Sequence, residues 1–107
     1  MATERSYFEY IAEQLAALPD VSFRRMMGEY ILYYDGKVAG GLYDGRFLLK
    51  ITPAGLRLLP DAPQELPYPG GRAMLLVEET DNAALFCEAV RVTAEALPLP
   101  KPKKKTK

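Results

Sequence analysis

Histidine is absent from this 107-residue sequence, and with it go the most versatile general base near neutral pH and the commonest metal ligand. Cysteine is nearly as scarce. The single Cys87 leaves no internal disulfide to form, and one thiol without imidazole cannot assemble a closed zinc site. No apolar run approaches the ~18 residues of a membrane span, and the start MATERSYFEY has no hydrophobic signal segment. These absences predict a cytoplasmic, non-enzymatic protein that carries no metal and no cofactor and has no membrane partner.

What is present divides unevenly. Basic and acidic side chains balance at 14 each, yet Lys101, Lys103, Lys104, Lys105 and Lys107 crowd the last seven positions. The first hundred residues therefore hold nine bases against fourteen acids. An acidic body argues against a broad phosphate-binding surface, whereas the lysines form a candidate anion-seeking tail. The proline-broken, lysine-rich end predicts a disordered segment over 100–107 behind a single folded domain over 1–99.

Along that domain, Ser6 to Glu9 reads as a capping box, and Phe8, Ile11, Ala12, Leu15 and Leu18 share one helical face. Four strand-like runs follow, at 21–27, 29–34, 37–43 and 46–51. Asp35-Gly36 and Asp44-Gly45 are strong type I′ hairpin signals between them. Thr52-Pro53 opens a short helix that Pro60 stops. The segment PDAPQELPYPGG is an extended connection, AMLLVEE a further buried strand, and Thr80 or Asp81 a cap for a last helix with an apolar stripe from Leu85 to Leu97. The order α-β-β-β-β-α-β-α predicts an α+β domain, an antiparallel meander with helices packed on the sheet.

If each Asp-Gly supplies a two-residue loop, alternation places Ile31, Tyr33, Val38, Gly40, Leu42, Phe47, Leu49 and Ile51 on a core face. Tyr30, Leu32, Tyr34, Lys37, Ala39, Gly41, Tyr43, Arg46, Leu48 and Lys50 fall on the other. A bulge at Gly40-Gly41 would exchange the faces beyond it. The second, tyrosine-rich face is either covered by helices, with tyrosine hydroxyls at the margin, or open for binding.

Arg24 and Arg25 alternate along the first strand, one toward each face. They are edge charges that block sheet-to-sheet aggregation, or they join Met26, Met27, Tyr30 and Tyr34 in a contact surface where guanidinium planes sit beside aromatic rings. Cys87 has no neighbouring base and reads as a small hydrophobe.

The run RRMMGEYILYYDGKVAGGLYDGRFLLK, with an amphipathic helix before it and YPGGRAMLLVEE plus a helix after, resembles the N-terminal domain of the TfoX/Sxy family over most of residues 6–97. Arg25, Met26, Met27 and Gly28 match the family's Arg-Met-x-Gly element. The resemblance is to short, stand-alone bacterial members, which implies that the second, C-terminal domain of the competence regulators is missing. It implies no catalytic residues. Three functions follow as alternatives: a protein-interaction or regulatory module, with Arg24, Arg25, Met26, Met27, Tyr30 and Tyr34 at its surface; a nucleic-acid-associated accessory protein that binds weakly through the lysine tail; and a small-ligand binder or enzyme with a pocket between the sheet and the proline-rich loop. Another protein is the leading partner.

Overall fold

Three two-residue turns shape the first half of the chain, whose computed structural model describes residues 3–97. Asp35-Gly36 and Asp44-Gly45 are joined by Met27-Gly28, and all six residues have φ between 52° and 84°. Positive φ at both central positions defines the type I′ turn, whose twist matches that of the strands it joins. The turns connect β1 (Val21–Met26), β2 (Glu29–Tyr34), β3 (Lys37–Tyr43) and β4 (Arg46–Leu49) into an antiparallel meander.

Thr52 then caps α2 (Pro53–Leu58), its hydroxyl accepting from the Gly55 N–H at 3.0 Å, with Pro53 at the first helical position. Within the proline-rich connection the chain adds β5 (Gln64–Glu65), two residues of the extended stretch that pair with β6 (Met74–Leu76). Strand β6 lies antiparallel against β4, giving the sheet order β1-β2-β3-β4-β6-β5. The chain is thus α+β, with the order that the sequence predicts and one short strand more.

Helix α1 (Arg5–Gln14) and helix α3 (Ala83–Ala96) cover one face of the sheet. Phe47 meets Phe86 edge to face at 4.7 Å, and Ile11, Leu15, Leu32, Leu42 and Val90 close the interior around them. Burial of this apolar surface is the main favourable term in folding, at roughly 25 cal/mol per Å². Lys37 seals the lower end of α3, its Nζ donating to the carbonyls of Ala94 at 2.8 Å and Leu97 at 3.3 Å. A cation there satisfies orphan carbonyls and complements the negative end of the helix dipole.

Two expected helix starts move. Helix α1 begins at Arg5 with Glu4 as its cap and no side-chain capping bond, so Ser6 lies inside the first turn. The preceding residue is already fastened to the sheet, Thr3 N–H donating to the Gly28 carbonyl at 3.2 Å, and the chain turns into helix earlier. Helix α3 is capped by Asn82, which accepts from the Leu85 N–H at 3.2 Å. Thr80 and Asp81 are instead engaged with α1: Tyr10 hydroxyl bonds both side chains, and Gln14 Nε2 donates to the Thr80 carbonyl at 2.7 Å.

A bulge decides the two faces. Leu32 pairs with Gly40 but Tyr33 pairs with Val38, leaving Ala39 as the extra residue of β3. Its carbonyl is taken by the Lys50 N–H at 2.8 Å. The period of two is shifted by one at this point, so Tyr30 and Leu32 join Leu42, Phe47 and Leu49 beneath the helices. The expected grouping of Ile31, Tyr33 and Val38 with the core is therefore reversed, and Ala39, expected on the other face, is buried in it, while Tyr43, Arg46 and Leu48 keep to the opposite face. Gly40 has no room for a side chain, since a Cβ there would lie 2.1 Å from the Leu48 carbonyl oxygen.

Candidate interaction surface

The first hairpin ends in an unusual turn. Type I′ loops favour Asn, Asp or Gly at the first central position, yet Met27 holds it at φ 54° with 95% of its surface exposed. Met26 beside it is 47% exposed. Apolar side chains of this length are adaptable contacts, and they lie in water here at a conformational cost.

The turn is fastened from below. Thr3 is buried, and its hydroxyl donates to Glu29 Oε1 at 2.7 Å while accepting from the Gly45 N–H at 3.0 Å. Both Glu29 carboxylate oxygens accept from the Asp44 N–H at 3.1 Å. One carboxylate and one hydroxyl thereby tie together the start of the chain, the β1–β2 turn and the β3–β4 turn. Hydrogen bonds to a charged acceptor are the stronger kind.

Strand β1 lies at the sheet edge. Arg24 pairs with Ile31 and Arg25 with Tyr30, so the arginines point to opposite faces. Both are exposed, and neither makes an ion pair within the described residues. Arg24, Arg25, Met26 and Met27 are thus brought together at one edge and its tip. Tyr30 is not with them: it is 7% exposed and stacked on Phe8 at 4.1 Å, a core residue because of the bulge. Tyr34 lies at the far end of β2, opposite Val21 and half-buried. Its hydroxyl is raised above the ordinary value, first by burial and then by Asp20. The candidate lysines 101, 103, 104, 105 and 107, and the boundary at 99–100, lie outside the described residues.

Other polar groups have structural work. The Cys87 thiol donates to the Gln14 carbonyl at 3.4 Å, and burial raises its pKa, so it is a poor nucleophile. Arg46 spans from the sheet to the proline-rich connection. Its guanidinium donates to the Tyr43 carbonyl at 3.1 Å, to Glu65 Oε1 at 2.9 Å, and to the carbonyls of Leu66 and Pro67 at 3.1 and 3.3 Å. That segment, rather than a helix, partly covers the tyrosine-rich face. Among the described residues no group of three or more His, Cys, Asp or Glu is arranged to hold a metal, and no helix is long and apolar enough to cross a membrane.

Sequence reasoning passed over Thr3, Glu29 and Met27's conformation. Thr3 and Glu29 meet across 26 positions, beyond any local pattern. The turn did leave a sign: Gly28 stands between two strand-like runs, and only the missing Asn or Asp concealed it.

The profile of the TfoX N-terminal domain matches residues 13–96. The sequence is also 43% identical, over 109 aligned residues, to an uncharacterized 12.7 kDa protein in the trpE 5′ region of Spirochaeta aurantia, an alignment that covers all of this chain and 95% of that protein. With the meander, its Arg-Met-x-Gly turn and the flanking helices now accounted for, the chain belongs to the family of TfoX N-terminal domains.

Proposed function

We propose that this chain is a cytoplasmic, non-catalytic interaction module that captures an extended segment of another protein along β1, with Met26 and Met27 as its apolar anchor. The observation that carries this reading is Met27, almost fully exposed in a left-handed conformation that asparagine or glycine would adopt at lower cost. An edge strand offers unpaired backbone donors and acceptors to a partner strand. Arg24 and Arg25 beside it favour a segment bearing acidic side chains, through charge-assisted contacts. The absence of histidine from the sequence and the raised Cys87 thiol support a non-catalytic role.

The test is site-specific photocrosslinking in cells of the source organism, from a crosslinking residue placed at position 24, with position 88 on α3 as the control. A single partner captured from position 24, lost in Met27→Asn and in Arg25→Glu while both variants keep their melting temperature or raise it, supports the surface. Equal capture from both positions, or capture unchanged by both variants, refutes it.

A further inference from the structure

Away from β1, a groove of about 710 Å³ runs between the sheet and the loop that follows β5, and reaches Leu97 at the C-terminal cap of α3. That volume is in the range of small-molecule sites. Its floor is apolar, formed by Val38, Ile51 and Met74. One wall is aromatic: Tyr43 and Tyr68 meet edge to face, 6.3 Å between ring centroids and 61° between planes. The charged residues that line it are Lys50 and Arg72, with no acid among the rest. Within the described residues neither cation makes a side-chain hydrogen bond or an ion pair. In a domain whose acids outnumber its bases, an acid-free groove with two uncommitted cations is a local inversion of charge.

The wall is also held in advance of any ligand. Arg46 fastens the loop to the sheet through Glu65, Leu66 and Pro67. Gly71 N–H donates to the Tyr68 carbonyl at 3.0 Å, and a Cβ at Gly71 would lie 3.0 Å from the Tyr68 ring. Burial, then the neighbouring Tyr68, raises the Tyr43 hydroxyl above its ordinary value. Preorganised walls lower the ordering cost of binding.

We propose that this groove is a binding site for a small organic anion with a flat apolar body, the body lying against Tyr43 and Tyr68 and the anionic head meeting Lys50 and Arg72. The site is independent of the β1 surface. Nuclear magnetic resonance titration of the ¹⁵N-labelled full chain with 3-phenylpropionate tests it, alongside phenyl phosphate, 3-phenylpropylamine and inorganic phosphate. The amide signals of Gly70, Gly71 and Lys50 shift saturably with 3-phenylpropionate or phenyl phosphate, and the stronger of the two identifies the head group. In Arg72→Ala, whose spectrum is otherwise unchanged because the side chain is exposed, binding weakens about tenfold, the loss of one charge-assisted contact. Two results overturn the proposal: no saturable shift at millimolar probe, or equal response to the amine or to phosphate alone.

Discussion

Met27 occupies a position that the backbone would yield more readily to asparagine. A non-glycine residue in the left-handed region costs about 1 kcal/mol, and Asn is among the few that visit it routinely. Met27→Asn is therefore expected to raise stability by about 0.5–1 kcal/mol, read from urea denaturation midpoints; a fall would show that the methionine stabilises the fold itself. Thr93 presents the converse case, a buried residue on the core stripe of α3 whose hydroxyl has no hydrogen-bond partner among the described residues. A buried, unsatisfied hydroxyl costs about 1–3 kcal/mol. Thr93→Val keeps the shape and removes that cost, so its melting temperature should equal or exceed that of the parent. A clear drop would place an unseen partner on Oγ1.

At the scale of elements, legibility followed locality. The Asp-Gly turns, the Thr52-Pro53 helix start and the stripe of α3 are each set by neighbours a few positions apart, and each could be read. The bulge lies at Ala39, one residue before the glycines that hinted at it, and this slip alone moved Tyr30 and Leu32 from the questioned face to the core. The cap of α3 fell one or two positions later than expected because Thr80 and Asp81 answer to Tyr10, some 70 residues away. Within the candidate surface, Arg24, Arg25 and the methionines were legible as a cluster, whereas the Thr3–Glu29 latch beneath them was not. Arg46 shows the same limit, since all but one of its acceptors come from the proline-rich connection. Arg46→Ala should cost about 1–3 kcal/mol and speed amide hydrogen exchange selectively across residues 64–73. Exchange that stays slow there would mean the segment holds to the sheet without the guanidinium.

For the molecule as a whole, the lack of histidine leaves no side chain whose ordinary pKa lies between about 6 and 8. Above that window the direction is set. Burial raises Tyr7, Tyr43 and Cys87, and the Asp81 contact raises Tyr10. Once pH exceeds the unfolded values of about 8.5 for Cys and about 10 for Tyr, the unfolded chain has released protons that the folded chain retains. The folded state then binds more protons, so stability falls as pH rises. Urea midpoints should fall from pH 8 to pH 11, and an unchanged midpoint at pH 11 would contradict the raised values. A last consequence concerns the two margins of the sheet. One is β1, six residues long; the other is β5, two residues long and flanked by prolines. A strand laid along β1 uses up the one margin long enough to template another, and the far margin is too short to continue the series. If a partner strand adds along β1, joining through the described sheet is therefore expected to have a valence of one, ending in a 1:1 complex or a closed pair rather than a fibre.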